Sequence, residues 1–493
     1  MKPAIVICMA LLTFYQPLVT SKNPHILFIV ADDLGWNDVG FRNSEIHSPT
    51  LDKMAEAGII LNSSYVQPVC SPSRASFMSS YFPFRLGLQH KTIIASQKAY
   101  LPADVITLPQ RLRELGYATH IVGKWHLGFC NWNYTPTFRG FDSFYGFYNA
   151  REDYYNHTGS RDAYDFRSNT SVEVAAKGHY SADLFSAKVV EIIKSHDPSR
   201  PLFIYLPFQS VHDPLQVPEE YVQRYCSKVV KESRRLYCGM VAALDEAVTN
   251  VTSTMQEAGL WEDTIVFFTT DNGGPIPEGA DNWPLRGSKG TLWEGGTRGT
   301  AFIYSQSWLN KTGYTYNGLF HAVDWYPTIL SAAAGSKANH LLEKTDIDGI
   351  SQWQALLQNG PSPRDEFVYN IDEIDQNGAL RLGRYKLIEG RPGTIGQDVE
   401  ETDDLNIYDE AWDRAVDSSD MSTEGAVPTY QLYDIEADPT ETTDIADKYP
   451  DVTRQLQARL ADWKKLLVPA NFPPPDPASD PKNFDGVWSP GWC

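Results

Sequence analysis

Past its first twenty residues the sequence has no apolar run long enough to cross a bilayer, so no transmembrane segment is expected. Basic residues are outnumbered: 42 Lys and Arg stand against 62 Asp and Glu, a formal net charge of −20. That balance excludes nucleic acid as a partner, and the surface as a whole gives a polyanion no long-range attraction. An anionic substrate therefore needs a local basic site. At physiological salt the Debye length is about 8 Å, so a few cations in a cleft outweigh distant acidic residues. Internal repeats and coiled-coil heptads are also lacking. What remains is the composition of a folded chain, 42% hydrophobic and 12% aromatic over 493 residues, enough for a large core and two or three domains.

Lys2, the apolar stretch Pro3 to Leu12 and a weaker continuation to Val19 predict a signal peptide over residues 1–20, cleaved near Thr20 or Ser21. Sequons at Asn62, Asn133, Asn156, Asn169, Asn250 and Asn310 fit passage through the secretory pathway and mark candidate glycosylation sites.

His25 to Ala31 is a short apolar run that ends abruptly in Asp32-Asp33-Leu34-Gly35, as a buried strand followed by a polar turn would. The same grammar recurs. Thr107 caps a short helix with Pro109 in its first turn and Gly116 past its end, then strand Ala118 to Val122 leads into Gly-Lys-Trp-His. Leu202 to Leu206 leads into Gln209-Ser210-Val211-His212. A helix over 236–257 gives way to strand Thr264 to Thr269 and then Asp271-Asn272-Gly273-Gly274. Strands that deliver polar residues at their C-terminal ends, with helices between them, define an α/β fold with a large, mostly parallel sheet flanked by helices, whose ligands bind beyond those ends. After about Pro361 the texture changes. Leu380 to Ile388 and Gln431 to Ile435 read as strands and Tyr449 to Leu467 as a helix, so a domain over 22–360 is expected to be followed by a smaller α+β domain over 361–493 with an antiparallel sheet. The acidic stretch Asp398 to Glu424 reads as a solvated excursion, with a weak signal for calcium.

Asp32, Asp33, Asp271 and Asn272 occupy equivalent strand ends, and three carboxylates with an amide make a hard oxygen site suited to Ca²⁺ or Mg²⁺. Arg74, Lys124, His126, His212 and Lys289 supply local positive charge beside strand ends or Gly-rich turns. Each could instead be an ordinary solvated or core residue. Trp125, Trp283 and Trp293 are either packing residues or a sugar platform. In Cys70-Ser71-Pro72-Ser73-Arg74, Pro72 suits the first position of a helix and Ser71 or Ser73 can cap it, so Cys70 would stand where a helix N-terminus favours anions.

Cys70 to Arg74 matches the C-x-P-S-R signal of the formylglycine sulfatases. With Ala31 to Gly40, Gly123 to Gly128, Gln209 to Pro218, Asp271 to Gly274 and Asn282 to Gly296, the chain resembles the type I sulfatases, most closely the arylsulfatase B (N-acetylgalactosamine 4-sulfatase) branch. The resemblance implies an alkaline-phosphatase-like sandwich and a sulfuric ester hydrolase. It implies 3-oxoalanine (formylglycine) made from Cys70 by a formylglycine-generating enzyme, and one Ca²⁺ per subunit held by Asp32, Asp33, Asp271, Asn272 and the modified residue 70. Arg74, Lys124, His126, His212 and Lys289 would surround the sulfate. The substrate would be a small sulfated molecule or a sulfated glycan end, GalNAc 4-sulfate by family default, with glucosinolates among the small metabolites. The destination would be extracellular or lysosomal.

If Cys70 is consumed as an aldehyde and Cys8 leaves with the signal, Cys130, Cys226, Cys238 and Cys493 remain. Two disulfides then have three connectivities, of which the local Cys226–Cys238 pair with Cys130–Cys493 is favoured. Two departures stand out. Met78-Ser79-Ser80-Tyr81 replaces the usual Leu-Thr-Gly-Arg, and Arg151 precedes Glu152-Asp153-Tyr154-Tyr155 where the branch commonly has serine, so Arg151 is a candidate substrate-binding residue. The rival readings are a catalytically silent secreted binding or storage protein, and a phosphate-ester hydrolase of the same superfamily.

Overall fold

In chain order the first twelve strands are His25–Ala31 (β1), Ile59–Leu61 (β2), Ser64–Tyr65 (β3), Ala118–Lys124 (β4), Ser143–Phe147 (β5), Arg167–Ser168 (β6), Ser171–Val172 (β7), Leu202–Pro207 (β8), Thr264–Thr270 (β9), Ala301–Tyr304 (β10), Tyr314–Tyr316 (β11) and Phe320–His321 (β12). They belong to a computed structural model that describes residues 23–342, 345–393 and 429–493; the signal peptide expected over 1–20 and the acidic stretch 398–424 lie outside the described residues. Ten strands form one sheet in the order β11-β2-β10-β9-β1-β8-β4-β5-β6-β7, while β3 and β12 pair separately. The centre is parallel: β9, β1, β8, β4 and β5 run the same way. Antiparallel pairs enter where β10 meets β9 and β2, and where β6 meets β5 and β7.

Burial on both faces explains why β1 reads as one apolar run rather than an alternation. Leu27 and Ile29 pack with Phe185 and Val189 of helix Ser181–Ser195 and with Met240, Leu244 and Val248 of helix Glu232–Glu257. Ile26, Phe28 and Val30 point the other way, into a core with Phe77 and Met78 of helix Cys70–Ser79 and Trp325 and Ile329 of helix Trp325–Ala334. Each fully buried aliphatic or phenyl side chain contributes about 1.5–3 kcal/mol of transfer free energy. The stiffest part of the sheet is therefore its parallel centre, and the four strand ends that carry Asp32, Lys124, Gln209 and Asp271 are fixed side by side.

A second, antiparallel sheet consists of Glu366–Asp372 (β13), Asn377–Leu382 (β14), Tyr385–Glu389 (β15) and Tyr430–Asp434 (β16), in that order. The stretch Leu380 to Ile388, which reads as one strand, is the heart of a hairpin: Gly383 at φ 55° turns the chain between β14 and β15. Helix Pro450–Lys464 covers this sheet through Leu456 and Leu460. The chain then returns to the large sheet, where Trp488 is buried in its core.

Both favoured disulfides form, Cys226–Cys238 and Cys130–Cys493. The second spans 363 residues. Cross-linking so long a loop restricts the unfolded chain, so the double variant Cys130→Ser/Cys493→Ser is expected to lose about 2–5 kcal/mol. Denaturant unfolding in non-reducing buffer checks this; an unchanged midpoint would show that the bridge adds nothing to stability. Asn133, Asn156, Asn169, Asn250 and Asn310 are exposed, and Asn62 is partly buried.

Candidate active site

The parallel centre of the sheet sets the site. Asp32 and Asp33 follow β1, Lys124 ends β4 with His126 just beyond, Gln209 to His212 follow β8, and Asp271 and Asn272 follow β9. Cys70 is the first residue of helix Cys70–Ser79. Neither expected serine caps that helix. Val69 holds the N-cap position without a side-chain bond, while Ser73 Oγ accepts from Gln67 N at 2.8 Å and Ser71 Oγ from Ile93 N at 3.1 Å. Pro72 consequently sits in the first turn but not at its first residue, where its missing N–H still costs no helical bond. The other end keeps its shape without the family glycine: Ser80 takes the left-handed cap at φ 67°, and its Oγ donates to Val323 O at 2.7 Å.

Three carboxylates and three cations interlock around Cys70, all of them buried. The Cys70 thiol donates to Asp32 Oδ1 at 3.5 Å. Lys124 Nζ donates to Asp32 Oδ2 at 2.7 Å, and Arg74 grips Asp271 Oδ2 through Nε at 3.0 Å and Nη2 at 2.7 Å. Lys289 Nζ donates to Asp33 Oδ2 at 3.0 Å and lies 3.2 Å from His212 Nε2. Asn272 Nδ2 donates to Asp33 Oδ1 at 2.6 Å. Asp33 at φ 62° and His126 at φ 54° hold a left-handed backbone that non-glycine residues adopt at a cost, which clusters at functional sites.

The charges are unevenly shared. Burial first, then repulsion from Asp271, pushes the Asp32 carboxyl up to about 7, although Lys124 and Arg74 oppose the shift. Burial also works against Asp271, yet Arg74 and then Lys124 hold it well below the usual carboxylate range. Three internal cations face the three carboxylates, so much of the charge of the site is offset from within.

The side chains present fit a divalent ion. Ligand atoms of Asp32, Asp33, Cys70 and His212 lie within 4.8 Å of one another. Asn272 Oδ1 is buried and accepts no hydrogen bond from any described residue, a costly state for an amide oxygen unless a cation or donor faces it. Asp271 and Asn272 join this group through Asp33, to whose backbone N Asp271 Oδ1 bonds at 3.3 Å.

His126 and Arg151 are tied differently. His126 Nε2 lies 2.9 Å from the carbonyl of Ile93, which fixes that nitrogen as the donor and leaves Nδ1 the basic one. Arg151, about a quarter exposed, pairs with Asp213, whose Oδ1 lies 2.9 Å from His212 Nδ1. Asp213 and Tyr154 escaped the reading from sequence. Tyr154 OH donates to His212 O at 2.7 Å, holding the turn that carries the imidazole. Asp213 was detectable only as the neighbour of His212, and Tyr154 only as part of the Glu152 to Tyr155 run. Of the three tryptophans, Trp125 and Trp293 are buried packing residues, whereas Trp283 is 71% exposed.

A mostly parallel α/β sheet with a cysteine at a helix N-terminus, ringed by lysine, arginine and carboxylate groups, defines a hydrolase built for a small tetrahedral anion. The chain belongs to the sulfatase family: the family model described as Sulfatase matches residues 24–336. It is 39% identical to arylsulfatase J of Mus musculus, over 95% of this chain and 80% of that protein, and 28% identical to arylsulfatase A of Homo sapiens, over 91% and 89%. It is thus a type I sulfatase, an enzyme that hydrolyses sulfate esters. Among solved structures, Ps i-CgsB in complex with k-i-k-neocarrahexaose matches with a TM-score of 0.76 over 94% of this chain and 97% of that one; at 23% identity this speaks for the alkaline-phosphatase-like fold alone.

Proposed function

We propose that the enzyme cleaves sulfate monoesters with a nucleophile made from Cys70, using Arg74, Lys124, His126, His212 and Lys289 as its catalytic set. The observation that carries this reading is the convergence of Cys70, Arg74, Lys124, His212 and Lys289 on Asp32, Asp33 and Asp271. Oxidised to an aldehyde and hydrated, residue 70 would supply two hydroxyls, one to attack sulfur and one whose loss of a proton expels sulfate. That replaces sulfur by oxygen among the donors, so Asp32, Asp33, Asp271, Asn272 and residue 70 become a hard set suited to Ca²⁺, which would polarise sulfate oxygen and favour the ionised hydroxyl.

The chain's own residues do the rest. Arg74 and Lys124 offset negative charge on the sulfuryl oxygens, and their bonds to Asp271 and Asp32 keep them aimed before substrate arrives. Lys289 and His212, 3.2 Å apart, neutralise and protonate the leaving ester oxygen. His126, with Nε2 committed to Ile93 O, takes the proton from the second hydroxyl at Nδ1. Turnover of a chromogenic aryl sulfate by protein from a eukaryotic secretory host, with the mass of residue 70 read from its peptide, tests the whole scheme. Full activity with an unmodified thiol would refute it.

The domain division proposed is a catalytic part over 22–360 and a smaller part over 361–493, entering the secretory pathway and destined for the lysosome or the exterior. A formylglycine-generating enzyme is the partner in biosynthesis. Substrates are sulfated glycan ends such as GalNAc 4-sulfate, or sulfated small metabolites such as glucosinolates. Arg151, partly exposed beside Asp213, would meet a second polar group of the substrate. Trp283 offers a sugar platform: its indole is exposed, yet its loop is pinned by Asn282, which bonds Gly274 N at 3.0 Å and Gly274 O at 2.7 Å. Trp283→Ala is expected to raise KM for a sulfated sugar about 3- to 10-fold, the worth of one stacked ring, with aryl sulfate kinetics within about twofold. Equal effects on both substrates would exclude a platform role.

A further inference from the structure

Lys289 reaches the site from the Gly-rich stretch 282–296, which ends in the single helical turn Glu294–Thr297. That stretch is gripped from the second sheet. Glu294 is wholly buried, and its Oε1 accepts from Tyr369 OH at 2.9 Å and from Lys386 Nζ at 3.1 Å. Tyr369 belongs to β13 and Lys386 to β15. Glu294 Oε2 accepts from Tyr65 OH at 2.9 Å. The grip also acts on the backbone: Glu294 N donates to Glu441 Oε2 at 2.6 Å, and Glu441 in turn pairs with Lys386 at 2.7 Å. Nearby, Arg286 donates to Glu441 O at 3.0 Å and Leu292 N to Pro392 O at 2.6 Å.

The near side of the same stretch touches the chemistry. Gly296 O accepts from Gly273 N at 2.9 Å, one residue from Asn272, and Gly290 N donates to Pro68 O at 2.8 Å, two residues from Cys70. Between these anchors Lys289 Nζ meets Asp33 and His212. Two buried carboxylates around one buried ammonium are an expensive way to hold two layers together, since well-packed apolar residues stabilise an interface equally well. Directional bonds to a backbone N–H and to two tyrosine hydroxyls do what apolar packing cannot: they fix where a loop stands.

We propose that Glu294 is a positioning residue for Lys289, and that Lys386 and Glu441 brace it from the second sheet, so that this sheet is a working part of the catalytic centre. The inference rests on the reading of Lys289 as the group that neutralises the leaving oxygen. Lys386→Met keeps length and removes charge, and is expected to lower kcat about 10- to 100-fold, as a small misplacement of a reacting group does, with KM within about twofold.

The decisive measurement uses aryl sulfates with phenols of graded acidity. If the brace acts through Lys289, Lys386→Met makes kcat depend more steeply on phenol acidity, as Lys289→Ala does, and the double variant is no slower than Lys289→Ala alone. Losses that multiply in the double variant, or wild-type kcat in Lys386→Met beside a crippled Lys289→Ala, would overturn the brace. Wild-type kcat in Lys289→Ala would overturn instead the role of Lys289 on which the inference stands. Should Lys386→Met fail to fold, Glu294→Gln, which retains the shape but offers one accepting oxygen where Tyr65 and Tyr369 now use two, carries the same comparison.

Discussion

Cys70→Ser is expected to give an enzyme that reacts once and stops. Serine at the first residue of helix Cys70–Ser79 would place an oxygen beside Asp32, Lys124 and Arg74, where the thiol now lies 3.5 Å from Asp32 Oδ1. In the proposed scheme that oxygen can attack sulfur, and Lys289 and His212 remain to help the phenol leave. It carries no second hydroxyl, so the proton that His126 would remove does not exist and the serine sulfate ester has no intramolecular route to break down. The expected result is at most one equivalent of phenol released, a residue-70 peptide heavier by the mass of sulfur trioxide, and steady turnover reduced by about 10⁴- to 10⁶-fold. Sustained turnover at the wild-type rate would mean that residue 70 is not the nucleophile.

Asp271→Asn should be nearly as damaging although it changes one atom. Asp271 is the point where Arg74 is anchored by two bonds, and its negative charge is held firmly by Arg74 and Lys124. The amide keeps the shape, loses the charge-assisted grip on Arg74, and weakens the oxygen set proposed for the cation. A fall in kcat/KM of about 10²- to 10³-fold is expected, the cost of one misaligned charge-stabilising group. Divalent-ion content by elemental analysis should fall in parallel. Unchanged metal content with lost activity would assign Asp271 to Arg74 alone, and unchanged activity would remove it from the site.

The strand ends were legible because each signal is local. β1, β4, β8 and β9 appear where apolar runs meet polar turns, and the resemblance names the residues beyond them. Local reasoning failed where the chain uses a residue for a distant neighbour. Ser71 and Ser73 look like caps, but their hydroxyls serve Ile93 and Gln67. Arg151 was singled out as a candidate substrate-binding residue, but its pairing with Asp213 carried no local signal. Lys386 and Glu441 carried no sequence signal of a role, and only the packing of two sheets brings them to Glu294. The short turn at Gly383 was hidden because apolar and basic residues alternate on both sides of it, so that the two strands read as one.

A thiol with no exposed surface has a biography as well as a geometry. Cys70 is sealed in the finished fold, out of reach of any second protein's active site. If residue 70 is converted as proposed, Cys70 to Arg74 must be read as an open segment, during synthesis or soon after. Parallel pairing supplies the delay, because β1 can be completed only when β8 and then β9, far along the chain, have emerged to flank it, and such non-local sheets close slowly. On that proposal modification and folding are rivals in time, and a molecule that folds first would keep its thiol for the rest of its life.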